Sequence, residues 1–307
     1  MTITSRRKAA MFATAGAVAL GLAACGGGGD AEGGGTDGGD TGGSSGEALT
    51  LEQLQEEGTI TVGFAGEAPY SFEDGGELTG ATVALHERIW NELGIENVEG
   101  VQAEFGQLIQ GLNAGRFDVI AAGMSILPER CEQAIFSDPE FMYTTALMVP
   151  EGNPEGLTDM QSIVDSGVQV AALTGAIEAT YATDLGISAM EVGNPQDGLD
   201  AVVNGRADVF ALTGISLNWM ADNNPDAPIE VTESFVANID GVDQVGAGGT
   251  VFRPSDTDLR DAYNEQLAGI VGDEASYLEV VGDFGFTAEE RPTGEITTEQ
   301  FCAGDIG

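Results

Sequence analysis

The sequence predicts an α/β protein of two similar lobes joined by two crossover strands, and three observations carry that expectation. Strand-like and helix-like stretches alternate after Leu51, which is the mark of a layered α/β fold. A nine-residue pattern recurs 90 residues further along the chain. Two β-rich segments lead out of the first lobe and back into it.

Thr59 to Phe64 is β-branched and apolar and reads as a strand. Ala81 to Leu93 carries Val83, Ala84, Ile89, Trp90 and Leu93 at helical spacing. His86, the only histidine, falls in this helix beside Glu87 and Arg88 and is expected on its solvated face. Another helix runs from Phe105 or Gly106 to Asn113, where Gly115 stops it and Phe117 to Ala121 enters a strand. Here lies the repeat: Leu112-Asn113-Ala114-Gly115-Arg116-Phe117-Asp118-Val119-Ile120 recurs as Val202-Val203-Asn204-Gly205-Arg206-Ala207-Asp208-Val209-Phe210. In each copy the glycine permits a left-handed helix cap, the arginine can face the last carbonyls, and apolar residues enter a buried parallel strand. Arg116, Asp118, Arg206 and Asp208 are therefore read as structural. Two lobes on one plan create a cleft between them. Ala146 to Val149, followed by the Pro150 to Pro154 turn, leaves the first lobe, and Val245 to Phe252 returns to it. The expected limits are 50–148 and 249–307 for lobe 1 and 149–248 for lobe 2.

Ahead of the lobes, Arg6, Arg7 and Lys8 precede an apolar run from Ala9 to Leu20 that ends in Leu22-Ala23-Ala24-Cys25. Residues 1–24 have the parts of an export signal. The small residues before Cys25 resemble the bacterial lipobox, which implies an acylated Cys25 as the new N-terminus and an extracytoplasmic protein held at the membrane by lipid. An ordinary cleaved signal is the alternative; a transmembrane anchor needs about 20 apolar residues, more than this run supplies. Residues 25–49 are Gly-rich, with nothing to build a core, and read as a flexible linker.

Without residues 1–24 the chain keeps seven arginines, no lysine and 51 acids, a net charge near −44. Such a field excludes nucleic acid as a partner, because counterion release needs a cationic footprint. It resembles the surface chemistry of proteins that work in high salt. Enzyme chemistry finds few parts: one histidine, no Cys-His metal spacing, no G-x-S-x-G elbow, and a Gly26 to Gly29 run that is no phosphate loop. No cofactor and no metal are expected. An enzyme using a cleft carboxylate on the same fold is the distant alternative.

Ala122-Gly123-Met124-Ser125-Ile126-Leu127-Pro128-Glu129-Arg130, then Phe136-Ser137-Asp138-Pro139, resembles the signature of family 3 extracellular solute-binding proteins, the polar amino acid receptors of ABC importers. The resemblance runs from about Leu51 to Cys302 and implies the type II periplasmic-binding-protein-like fold, a small zwitterionic ligand and permease partners. Glu67-Ala68-Pro69-Tyr70, Pro128-Glu129-Arg130-Cys131, Leu212 with Ser216 and Asn218, and Phe301-Cys302 are similar to the ectoine and hydroxyectoine binding subgroup.

By this resemblance Arg130 forks onto the ligand carboxylate with Ser125 beside it, Thr174 and Gly175 meet the carboxylate from the second lobe, and Asn218 is a further ligand-binding residue. Tyr70 and Phe105 would lie on a cationic end whose N–H groups Glu67 accepts. The alternatives are a surface ion pair for Arg130 with Glu129 or Glu132, and core packing for Tyr70 and Phe105. Two departures bear on the ligand. No acid follows the second Gly-Arg-x-Asp turn to meet an α-ammonium, and Ser125 stands where the ectoine subgroup has a third aromatic. Ala176 and Ile177 also replace a hydroxyl expected in the second-lobe loop. With Cys25 acylated, Cys131 and Cys302 remain in an oxidising compartment and are expected to form one disulfide, two buried thiols being the alternative. Metabolic labelling with an alkynyl fatty acid tests the anchor: label is expected on the wild type and lost in Cys25→Ser, and an unlabelled wild type contradicts acylation.

Overall fold

The computed structural model describes residues 48–305 with the exception of residue 240. The export signal, Cys25 and nearly all of the linker lie outside the described residues. Two sheets organise the rest.

In the first, Asn97–Gln102, Thr59–Phe64 and Val119–Ser125 run parallel, and Gly246–Phe252 lies antiparallel beside Val119–Ser125. Ile135–Phe136 and Phe141–Tyr143 pair with that same returning strand. The second sheet repeats the plan: Met190–Val192, Val170–Leu173 and Val209–Thr213 are parallel, followed by antiparallel Thr145–Pro150 and Ile229–Val231. The result is the two-lobed type II α/β fold with two crossover segments. Thr145–Pro150 belongs whole to the second sheet and Gly246–Phe252 whole to the first. The sheets thus change over a few residues before 148/149 and 248/249.

The repeated turns are structural in both lobes. Gly115 and Gly205 adopt φ of 67° and 65°, the left-handed cap that a side chain would strain. The aspartate does the binding: Asp118 Oδ2 accepts from the Thr61 amide at 2.9 Å, and Asp208 Oδ2 accepts from the Gln169 amide at 2.8 Å, each fastening the start of the neighbouring strand. Arg116 and Arg206 are exposed.

Helix Ala81–Glu92 corrects one expectation. Thr82, Leu85, His86, Ile89 and Trp90 form its buried face, and His86 is wholly buried rather than solvated. The period of the helix places His86 one turn before Trp90, whose indole donates to His86 Nδ1 at 3.0 Å. With Nδ1 accepting, Nε2 carries the proton and donates to Thr250 Oγ1 at 2.7 Å. The Thr250 hydroxyl donates to Glu140 Oε1 at 2.5 Å, and the Tyr263 hydroxyl donates to the same oxygen at 2.7 Å. This network fastens the helix to the returning strand inside the first lobe. A disulfide joins Cys131 to Cys302, with the Cα atoms 5.6 Å apart. It ties helix Thr298–Ala303 to the four-residue helix Pro128–Cys131 that carries Arg130. By chain entropy alone a loop of this length is worth about 5 kcal/mol.

Burial raises the carboxyls of Glu67, Glu140 and Glu178 to about 7. In the folded protein these groups keep protons that the unfolded chain releases near 4.5, so their stabilisation is complete below 4.5 and is lost as pH rises through 7. His86, pushed to about 3 by burial, acts the other way, and its stabilisation is lost as pH falls below 6.5. Between pH 8 and 5 each carboxyl gains at most about 3 kcal/mol and the imidazole loses about 2, so the carboxyls win. The unliganded protein should therefore melt higher at pH 5 than at pH 8 in scanning calorimetry, with a shallower slope in Glu140→Gln. A melting temperature rising from pH 5 to pH 8 contradicts this account.

Candidate functional site

The carboxyl ends of the parallel strands in both sheets feed loops that meet between the lobes, the position where open α/β sheets hold ligands. From the first lobe, Thr59–Phe64 runs into the loop carrying Glu67 and Tyr70. The loop is anchored on the next helix, because the amide of Thr82 and its hydroxyl both donate to the Tyr70 carbonyl, at 2.9 and 2.8 Å. Val119–Ser125 delivers Ser125, and the following short helix delivers Arg130. From the second lobe, Val170–Leu173 leads to Thr174, Gly175 and helix Ile177–Asp184, and Val209–Thr213 leads to helix Gly214–Asn223.

Arg130 is buried and spans the cleft. Its Nη1 donates to the Ser125 carbonyl at 2.8 Å, and its Nη2 donates to the Gly175 carbonyl of the other lobe at 2.6 Å. The guanidinium carbon stands 5.5 Å from the centre of the Phe105 ring, a cation–π contact. No ion pair with Glu129 or Glu132 forms. Burial lowers the Arg130 pKa, opposed by the surrounding tyrosines and glutamates. Gly106 lies against the Thr174 carbonyl, so the two loops approach backbone to backbone.

Glu67 makes the second crossing. It is 5% exposed, and its Oε1 accepts from the Ser216 hydroxyl at 2.7 Å and, more distantly, from the Thr213 hydroxyl at 3.5 Å, both in the second lobe. Desolvation outweighs these two bonds in raising the carboxyl to about 7. Beside this crossing Phe72 of the first lobe meets Trp219 of the second at 5.7 Å.

Other expected site residues sit differently. The Tyr70 ring is in the first-lobe core, edge-on to Phe141 at 5.7 Å and Phe286 at 5.6 Å and laid over Gly123, where a Cβ would overlap it. Its face is thus occupied by protein. The hydroxyl is the part near the cleft, where burial first and then Glu67, Tyr143 and Glu178 hold its pKa well above the usual phenol value. Among the described residues this hydroxyl has no hydrogen-bond partner. Ser125 is buried beside Tyr143. Thr174 is half-buried and Gly175 is exposed with φ 79°. Asn218 is exposed and faces a separate surface cavity of about 350 Å³ with Tyr143, Trp219, Phe284 and Glu290. Ser216, two residues nearer the strand and on the opposite side of the helix, reaches Glu67 instead.

One residue absent from the sequence expectations is central. Glu178, in the first turn of helix Ile177–Asp184, is 1% exposed. Its Oε1 accepts from the Thr145 hydroxyl at 3.4 Å, and its Oε2 has no partner. Burial, with help from Glu67, raises it to about 7. The available signal was an acid three residues after Gly175 inside the apolar run Ala176, Ile177, Ala179.

Two α/β lobes closing desolvated charges between their strand ends define a receptor for a small polar solute. The model for bacterial extracellular solute-binding proteins, family 3, matches residues 60–277, and the chain belongs to that family. A Sinorhizobium fredii protein named "Probable amino-acid ABC transporter periplasmic-binding protein y4tE" is 32% identical over 83% of this chain and 87% of its own length. The crystal structure of EhuB in complex with hydroxyectoine superposes with a TM-score of 0.74 at 30% identity, covering 82% of this chain and 97% of that one. An ancestral arginine-binding protein bound to arginine gives 0.65 at 25% identity, over 74% and 98%. The protein is a solute-binding receptor of an ABC importer.

The placement of Tyr70 makes a separable expectation. Tyr70→Phe should keep the fold and cost about 1 kcal/mol of ligand binding, because only the hydroxyl meets the cleft, whereas Tyr70→Ala should destabilise the protein by about 3 to 5 kcal/mol through the lost core ring. Paired denaturant melts and calorimetry separate the two. An unchanged melting curve for Tyr70→Ala contradicts the core assignment.

Proposed function

We propose that this receptor, anchored outside the cell through an acylated Cys25, closes on a small zwitterion and hands it to the permease of an ABC importer. Ectoine or hydroxyectoine is the leading ligand. The observation that carries the reading is the pair of crossings: Arg130 and Glu67, both from the first lobe, each reach a partner on the second. A zwitterion supplies both complements at once. Its carboxylate replaces the Gly175 carbonyl at the Arg130 guanidinium, where two parallel N–H donors suit two oxygens, and its cationic end meets Glu67. The likeness to the hydroxyectoine complex of EhuB supports this order of ligands.

A polar amino acid is the second reading, favoured by the name of the Sinorhizobium fredii relative and by the arginine complex among the structural neighbours. The lobes, on this account, are the 50–144 and 246–305 portion and the inserted 145–245 portion, moving about the two crossovers. The receptor reading assigns no catalytic role to any cleft residue.

Calorimetry with ectoine, hydroxyectoine and the polar amino acids is the test. Arg130→Ala should weaken the ligand by about two to three orders of magnitude, since it removes the carboxylate's partner in a desolvated cleft, and Arg130→Lys should recover little because an ammonium lacks the fork. Micromolar binding of an α-amino acid without ectoine binding overturns the ligand order, and full rescue by lysine overturns the fork.

A further inference from the structure

Glu178 is the buried group that the receptor reading leaves idle. Its hydroxyl donor, Thr145, is the register partner of Thr213 across the antiparallel pair of Thr145–Pro150 and Val209–Thr213. Thr213 in turn reaches Glu67. Two carboxylates, one from each lobe, are therefore held over a single rung of the second sheet, where partner Cα atoms stand about 5 Å apart. The charges of both carboxylates act on the buried Tyr70 hydroxyl.

Each carboxylate retains acceptor capacity. Glu67 takes its bonds through Oε1, and Glu178 Oε2 is buried with no hydrogen-bond partner among the described residues. Leaving a buried carboxylate oxygen without a donor is expensive, so the chemistry of the gap is specific: it takes N–H donors on a positive group. Charge agrees. Arg130 is the one base among the groups acting on Glu178, which otherwise faces Glu67, Thr145, Tyr143 and Tyr181. Glu67 faces Thr213, Ser216 and Tyr70. Two acids against one guanidinium leave the closed cleft short of one positive charge when both are ionised.

We propose that Glu178 is a second acid for the ligand's cationic end, so that the cleft selects a delocalised cation with two N–H donors, one directed to each glutamate, as in an amidinium or a guanidinium. This rests on the receptor reading and deepens it. A quaternary ammonium, which has no N–H, is disfavoured. Because the two carboxyls titrate near neutrality when the cleft is empty, the arriving cation drives protons off them, and affinity rises with pH.

The experiment is titration calorimetry on the full chain, wild type and Glu178→Gln, with ectoine, L-arginine and glycine betaine at pH 6 and pH 8. The wild type should bind ectoine or arginine several-fold more tightly at pH 8, with an enthalpy that depends on the ionisation heat of the buffer because protons are released. Glu178→Gln should weaken that ligand about 10- to 100-fold while changing glycine betaine less than about threefold. Its melting curve shows whether it folds; should it not, the buffer dependence of the wild type decides, and its absence overturns the proposal. A folded Glu178→Gln within threefold of wild type for an N–H cation removes Glu178 and leaves the receptor standing. A wild type that binds none of the three probes overturns the zwitterion reading and this subsite together.

Discussion

A guanidinium cannot shed its charge on burial, so Arg130 must be answered by oxygen wherever the closed lobes enclose it. That requirement organises the cleft. The Ser125 carbonyl answers from the strand end behind it and the Gly175 carbonyl from the opposite lobe, while Phe105 lays its face against the cation. The short helix presenting Arg130 has four residues, too few to hold itself, and is braced by the disulfide from Cys131 to the C-terminal helix. The carboxylates follow the opposite rule. They can take up a proton, and burial pushes them toward doing so near neutrality, which lets the cleft close over them without an opposite charge beside each.

Much of the architecture was legible because it rests on local rules. Alternating periods, the two Gly-Arg-x-Asp turns and the crossovers are each decided within a dozen residues. Family likeness named Arg130 and Glu67, and each reaches a partner on the other lobe. Tyr70 shows the limit of that route. Its place in a loop at the cleft was legible, but which part of an amphipathic side chain reaches the cleft depends on Gly123, Phe141 and Phe286, which lie 53 to 216 residues away along the chain on separate elements.

His86 and Glu178 were misread or missed for a related reason. Neighbours in sequence, Glu87 and Arg88 for the one and Thr180 and Thr183 for the other, describe the helix surface in general, whereas burial depends on which arc of the helix meets a sheet. An acid or imidazole on that arc is tolerated only if distant donors and acceptors converge on it. Thr250 and Thr145 perform that service from the two strands through which the chain passes between lobes. Asn218 errs the other way: two residues past Ser216, it is turned about 200° around the helix and out of the cleft.

The strand Gly246–Phe252 joins three partners in the first sheet: Val119–Ser125, Ile135–Phe136 and Phe141–Tyr143. It is also the last strand of that sheet to be synthesised. The second sheet, by contrast, draws all its strands from residues 145–231. As the chain emerges, the inserted half holds a complete set of strands while the half that started first still has an open seam, with Val119–Ser125 lacking its neighbour. The lobe that begins the chain is the one that finishes last, and until residue 252 arrives its sheet presents a bare edge to whatever accompanies the nascent protein.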